Sequence, residues 1–342
     1  MNKFKYETHR YIELFAEAGR FSKYSITLTS YSDIQLPKLF ARFPGAYQLA
    51  NLAYPFGLAA ELRKRRRHDA IFVREFMTIP LLLAAPVLWR YRKNTLFVIT
   101  HNTQMAHSRL RDRLALKLLF RLGFRFVSLE SDAGVRLLLG KSFQECQLLT
   151  LPLAHYAGIK LKSGNNREKK KAIVGVVGRM RPEKNIEVLF DILEKIMRSH
   201  DVNVDVLVGC DNTQILNEGK KRGFRTLDTT TIENYDDALR LSDVILLNYD
   251  VNRYLYRDSA VIADAIFRGT VVVCPDYPTF KAQVSIPCPV GTTFRSLADL
   301  PQAIERAVGM AFGNRESFHE YIHYRQAEGL ARKIDEWLEM HA

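Results

Sequence analysis

The chain has 342 residues, 47% of them hydrophobic and 25% charged, which suffices for two ordinary α/β domains and excludes a disordered protein. Its four cysteines, Cys146, Cys210, Cys274 and Cys288, lie far apart, which argues against a metal knuckle or a disulfide framework and fits a reducing, cytoplasmic setting. The net charge of +13 is unevenly spread: residues 1–150 carry 24 Lys and Arg against 11 Asp and Glu, whereas residues 151–342 carry 26 against 26. That excess is the footprint of a polyanion, of an anionic membrane surface, or of a merely soluble basic face.

In chain order, the opening stretch MNKFKYETHRYIELF lacks the apolar region of a signal peptide and runs into a helical pattern over 6–17. A doubly wound domain normally starts with a buried strand and a Gly-rich turn. Here that strand is absent or the beginning is truncated. Apolar runs then predict strands over 25–29, 70–73, 95–100 and 124–129, with helices between them. The most apolar run, 79–89, has eleven residues, where a spanning helix needs about 20. The strand over 95–100 delivers His101 and Asn102 to its carboxyl end, and Glu130 ends the next one. Ligands bind at the carboxyl ends of strands in open α/β sheets, so these three are candidates for an acceptor side, with His101 the candidate catalytic group.

From 104 to 120 and on to Gly123 the pattern is one helix in which Arg109, Arg113, Lys117 and Arg121 recur every four residues, beside Leu110, Leu114, Leu118 and Leu122. Together with Arg63, Lys64, Arg65, Arg66 and Arg67, and the run over 90–93, this ridge suits anionic lipid headgroups or another polyanion. The plain alternative is that the leucines are core and the cations are surface.

A polar, charged stretch over 160–171 reads as a linker. Beyond it, strands are predicted over 172–177, 205–208, 244–247 and 271–274, with a weaker one over 225–227. The tail over 297–340 reads as a pair of helices. The alternation gives two Rossmann-like domains: a basic first domain over 1–157 with an atypical start, a second over 172–316, and a C-terminal helix over 317–342 returning to the first.

The segment from Ala172, AIVGVVGRMRPEKN, is an apolar strand ending in Gly178, then a basic turn with Arg179 and Lys184, then an amphipathic helix over 186–197. A glycine at a strand's carboxyl end lets backbone approach a ligand, and two cations at the same mouth suit a diphosphate. A strand ending in Gly209, a helix over 232–241, Ser242-Asp243 and a further strand follow. The stretch from Tyr256, YRDSAVIADAIFRGTVVVC, comes next.

In this order the residues resemble the donor domain of glycosyltransferase family 4, of the GT-B fold, well over 172–280 and poorly in the first domain. That family has a Gly-Arg…Lys turn, then a helix and strand ending in an "aDv" pattern, then Glu-x7-Glu-Ala-x-x-x-Gly-x-Pro-Val. The resemblance implies two Rossmann-like domains with a cleft between them and a helix crossing back. It implies that Arg179 and Lys184 contact a donor diphosphate, and that Asp264 stands where a Glu grips the ribose. Ser259, opening a helix over 259–268, would add a hydroxyl and backbone N–H groups for phosphate. Tyr256 stands where the family's sugar-holding Glu is expected, so Asp258 or Asp250 takes over that role if any carboxylate does.

The implied activity is transfer of a sugar from a nucleotide-diphosphate sugar to a glycan or lipid-linked acceptor, with retention, in surface polysaccharide or glycolipid synthesis. No metal or other cofactor is expected, since no Asp-x-Asp motif is present and cations stabilise the leaving phosphate. The location expected is cytoplasmic, peripheral on the inner face of the membrane. Nucleic acid is disfavoured, because no recognition motif accompanies the charge. The alternatives are a nucleotide-sugar epimerase of the same fold and a non-catalytic, degenerate subunit, to which Tyr256 points.

Overall fold

The computed structural model describes residues 17–30, 57–60, 62–63, 70–74, 76–100, 102–140, 144–152, 171–180, 185–199, 203–313 and 316–341. The chain divides into two compact units, Met1–Tyr156 with Arg325–Ala342, and Ala157–Tyr324.

The first unit is built on five parallel strands in the order β1-β2-β3-β4-β5: Ile26–Ser30, Ala70–Arg74, Thr95–Ile99, Arg125–Leu129 and Leu148–Leu151. β2, β3 and β4 are almost continuously apolar because a parallel sheet with helices on its faces buries both sides of each strand. The helices of this part are α1 (Thr78–Leu83), α2 (Ala85–Leu88), α3 (Asn102–Ser108), α4 (Leu110–Arg121) and α5 (Ala133–Leu139). A phenylalanine cluster fills the core. Phe120 stacks on Phe126 at 4.4 Å and Phe76 meets Phe97 edge-on at 5.5 Å.

The second unit has six parallel strands in the order β11-β10-β9-β6-β7-β8. In chain order they are β6 (Ala172–Val177), β7 (Val204–Cys210), β8 (Arg225–Asp228), β9 (Val244–Leu246), β10 (Val271–Pro275) and β11 (Gly291–Phe294). Its helices are α6 (Ile186–Ser199), α7 (Thr213–Lys221), α8 (Ile232–Leu241), α9 (Val251–Tyr254), α10 (Ala260–Ile266), α11 (Pro278–Ser285), α12 (Leu300–Phe312) and α13 (Glu316–Tyr324). The last helix, α14 (Ala327–His341), belongs to the first unit. There Asp335 accepts hydrogen bonds from the Ser22 hydroxyl and from the Lys23 amide at 2.9 Å, while Arg125 lies over the Trp337 ring.

The predicted strands are present within one or two residues of the expected bounds, and the structure adds the two edge strands β5 and β11. Two helical expectations need correction. The helix expected over 104–123 is two helices, broken at Arg109, whose backbone is extended (φ −130°, ψ 115°). The Arg113 guanidinium satisfies the end of α3 instead, donating to the carbonyls of Ala106 and His107 at 3.1 and 3.0 Å. The tail is three helices rather than two: Gly313 ends α12 with extended backbone, and Arg325 leaves the helical path after α13 to reach a buried partner. The opening pattern over 6–17 lies outside the described residues except for Glu17, and the linker over 160–171 except for Lys171. Among the described residues no helix is long and apolar enough to cross a membrane.

One contact sets the order of the second sheet. β6 pairs with β9 as well as with β7, and Gly175 faces Ile245 in that pairing. A Cβ on Gly175 would lie 2.1 Å from Ser242 Oγ and 2.9 Å from Ile245 Cδ1, so only glycine lets the strands approach. Beside it the buried Asp243 locks the register. Its carboxylate accepts from the Ile173 amide at 2.9 Å and its own amide donates to the Ile173 carbonyl at 2.8 Å. Gly175→Ala is therefore expected to lower stability by about 1–3 kcal/mol in urea unfolding, with part of the loss restored by adding Ser242→Gly.

Candidate functional site

In an open parallel sheet the strand order reverses at one point, and adjacent loops diverge there to leave a crevice at the carboxyl ends of the strands. In the second unit that point lies between β6 and β9, since β7 and β8 continue to one side and β10 and β11 to the other. Gly178 and Arg179 leave the end of β6. The segment from Leu247 to Asp250 leaves the neighbouring strand β9 on the same side.

Gly178 is buried with φ 109°, a conformation that side chains resist, and its amide donates to the Gly209 carbonyl at 2.9 Å. Arg179 follows it exposed to solvent. Asn185, at φ 46°, returns the chain into α6. Lys184 lies outside the described residues. So does His101, in the first unit.

Across from β6, the end of β9 is walled by aromatic rings. Tyr249 stacks on Tyr254 at 4.1 Å and packs against Phe280 of α11 at 5.5 Å. The Tyr277 hydroxyl donates to the Tyr249 carbonyl at 2.6 Å, and burial, followed by the Asp250 charge, pushes its pKa up to about 12, so it stays a neutral donor. Asp250 caps α9 by accepting from the Asn252 amide at 2.6 Å.

Ser259 is held firmly. Its amide donates to Gln283 Oε1 at 3.0 Å, its carbonyl accepts from Gln283 Nε2 at 3.2 Å, and its hydroxyl lies 3.5 Å from that of Tyr249. Gln283 is in turn fixed by the Tyr321 hydroxyl, which donates to its carbonyl at 2.8 Å. Ser259 precedes α10, which runs from Ala260 to Ile266 and is shorter than the 259–268 expected, and its hydroxyl makes no capping bond to the helix. Tyr256 is buried, which raises its pKa, while Asp258 is half-buried.

Asp264 projects from α10, where its carboxylate accepts from the buried Tyr235 hydroxyl at 3.1 Å and stays 18% exposed. Arg268, one turn on, is buried and clamps two elements: it donates to the Asp264 carbonyl and to the carboxylate of Asp236 on α8. Burial alone would raise the Asp236 carboxyl, but its bonds to Arg240 and Arg268 outweigh that and hold it below its ordinary value.

Two residues that sequence reasoning passed over stand out here. Gln283 organises Ser259 from α11, and nothing in its sequence neighbourhood, Lys281-Ala282-Gln283-Val284, marks it for that role. Arg257 lies between Tyr256 and Asp258, with its guanidinium 5.0 Å above the Tyr254 ring. Its buried Nε makes no hydrogen bond among the described residues.

The candidates in the first unit are used internally. Asn102 is buried and donates to the Phe76 carbonyl at 2.9 Å. Glu130, at φ 65°, forms a two-pronged ion pair with Arg325, Nη2 to Oε2 at 2.9 Å, with both side chains at most 2% exposed. Of the basic ridge, Arg63, Arg109 and Arg121 are exposed, Arg113 and Lys117 are half-buried, and Lys64, Arg65, Arg66 and Arg67 lie outside the described residues.

Glu130→Gln leaves Arg325 buried without its counter-charge and is expected to cost about 3–5 kcal/mol in denaturant unfolding; a loss under about 1 kcal/mol would mean the pair is not closed in solution. A second expectation concerns acid. A carboxyl with a depressed folded pKa stabilises above its unfolded value, about 3.9, and that contribution disappears as pH falls through the lower folded value. Unfolding measured from pH 6 downward should therefore show a flatter acid limb for Asp236→Asn than for the native chain.

No family profile matches the chain, and no curated protein matches it by sequence. Solved structures do match. TarM superposes with a TM-score of 0.58 at 14% identity, over 84% of this chain and 58% of TarM. The UDP-forming α,α-trehalose-phosphate synthase from Burkholderia vietnamiensis gives 0.58 at 14% identity, over 91% of this chain and 81% of that one. The lipopolysaccharide outer core galactosyltransferase WaaB in its apo form gives 0.60 at 10%, over 86% and 82%. A TarM mutant from S. aureus in complex with fondaparinux, α-GlcNAc-glycerol and UDP is also similar, at 0.56 and 14%. The chain thus spans 58% of TarM's length. At these identities the likeness establishes architecture, and with two Rossmann-like units on parallel sheets this chain has the GT-B fold shared by these glycosyltransferases.

Proposed function

We propose that the protein is a nucleotide-sugar-dependent glycosyltransferase whose donor site lies at the β6/β9 reversal of the second unit. The observation that carries this reading is the coincidence of the reversal point with Gly178-Arg179, a backbone that admits a close ligand followed at once by an exposed cation. The UDP in the TarM complex, and the UDP-forming chemistry named for the trehalose-phosphate synthase, support a nucleoside diphosphate as the ligand class.

In this reading Arg179 and Lys184 neutralise the diphosphate, and Arg257, held over Tyr254, adds a third cation. Asp264 takes the ribose hydroxyls in exchange for its bond to Tyr235. Ser259 presents its hydroxyl to the phosphate. Tyr256, Asp258 and the wall around Tyr249 border the transferred sugar. The acceptor oxygen bonds to the anomeric carbon while the bond from that carbon to the diphosphate oxygen breaks, and the acceptor's proton ends on the departing diphosphate or on water. Protein cations rather than a metal carry the leaving charge, retention is the expected outcome, and His101 is the proposed catalytic group. The acceptor is a glycan or lipid-linked molecule, presented at an anionic membrane surface that the basic first half of the chain meets, in surface polysaccharide or glycolipid synthesis.

A panel of nucleoside diphosphates should raise the melting temperature through binding to the native state. Arg179→Ala, Lys184→Ala and Arg257→Met should each weaken binding about 10- to 100-fold in calorimetry, as expected for a lost charge-assisted hydrogen bond. Stabilisation by no nucleotide would sink the reading. Binding without nucleotide release from any donor and acceptor would favour a non-catalytic subunit, the alternative to which Tyr256 points.

A further inference from the structure

Helix α4 is apolar on two sides, and only one of them is core. Ala115, Leu116, Leu119 and Phe120 are buried in the first unit. Leu110, Leu114 and Leu118 recur every four residues on the other side and are 67%, 52% and 44% exposed. Three leucines in line on a helix make a continuous ridge about 12 Å long. An exposed apolar stripe of this kind is uncommon on a surface that meets only water.

The charges around the ridge say what covers it. At 3.6 residues per turn, Arg113, Lys117 and Arg121 run along one flank and Arg111, 69% exposed, stands on the other. The helix contains one acid, Asp112, and that residue is buried, so no negative charge faces outward from α4. Arg113 is anchored by its bonds to Ala106 and His107, which fixes its charge at the edge of the stripe. An apolar ridge with a row of cations along one flank and Arg111 on the other is complementary to a layer with negative charge above and hydrocarbon beneath. Long basic side chains keep their heads among the headgroups while neighbouring leucines pass below them. A second copy of the same face is a poor occupant, because pairing would set Arg111, Lys117 and Arg121 against their own copies.

We propose that Leu110, Leu114 and Leu118 insert into the headgroup boundary of an anionic bilayer and that α4 lies flat on it, flanked by its own cations. The first half of the chain, with its net charge of +13, supplies the long-range attraction. Insertion of the leucines fixes which face is turned to the lipid. This rests on the membrane-facing part of the function proposed above, but on none of the donor-site residues.

The test uses the full chain with vesicles of phosphatidylcholine alone and of phosphatidylcholine mixed with phosphatidylglycerol. Sedimentation with the mixed vesicles only is expected, and Leu110→Gln, Leu114→Gln and Leu118→Gln should each lower the partition coefficient about tenfold. These side chains are exposed, so unchanged melting temperature and nucleotide-induced shift in the variants would certify their fold. A Leu114→Trp variant should gain fluorescence quenching by lipids brominated on the acyl chain. Native-like binding by the leucine variants, with no added quenching, would overturn insertion while leaving an electrostatic membrane contact standing. No vesicle binding at all would overturn both, without touching the donor-site reading. A dimer in light scattering that Leu114→Gln abolishes would assign the ridge to self-association instead.

Discussion

The pairing of β6 with β9 is the constraint on which the second unit turns. It exists because residue 175 has no side chain and because the Asp243 carboxylate replaces a missing backbone acceptor for Ile173. Together they bring two strands that are far apart in sequence into one ladder, and β7 and β8 then have to extend the sheet on one side while β10 and β11 extend it on the other. A crevice at the carboxyl ends is the geometric result. Gly178 with Arg179 and the segment from Leu247 to Asp250 leave the sheet at that reversal, so a small packing requirement in the middle of a strand fixes where the crevice opens.

Around the crevice the side chains are held by one another. Tyr321 holds Gln283, Gln283 holds Ser259, Tyr277 holds the Tyr249 backbone, and Arg268 ties α10 to Asp236 of α8. A polar group fixed in this way loses little freedom when a charged ligand arrives, which is the general advantage of preorganised sites. Arg179 is different: it is exposed and follows directly on the positive-φ Gly178. The first unit shows the opposite economy. Its buried polar residues Asn102 and Glu130 complete internal bonds, one to the Phe76 carbonyl and one to Arg325, and the second of these fastens the start of the returning chain to the end of β4.

How the two halves of the chain differ in charge has a structural counterpart. The balanced second half spends its ions on pairs, as at Arg222 with Asp191 and Glu218 or Arg268 with Asp236. In α4 the cations outnumber acids and the only acid is inside. Pairing neutralises a surface locally, whereas an unbalanced helix keeps a field that reaches a partner.

The apolar runs of β2, β3, β4, β6, β7, β9 and β10 were legible because a strand buried on both faces has to be apolar throughout, and the Gly178-Arg179 turn was legible because a glycine and a charged residue close an apolar run. The edge strands β5 and β11 were not, since a short edge strand such as Gly-Thr-Thr-Phe carries no such run. Sequence alone thus determined the two-domain parallel-sheet class, the order of strands and helices in the second unit and the charge asymmetry, all of which depend on composition and local period. Tertiary structure decided the break at Arg109, where a guanidinium six residues from a carbonyl ends a helix, and the burial of Glu130 against Arg325, 195 residues away. It also decided that Leu110, Leu114 and Leu118 face outward. A period of 3.6 marks every apolar face of a helix alike, and only the packed neighbours determine which of two such faces meets the core.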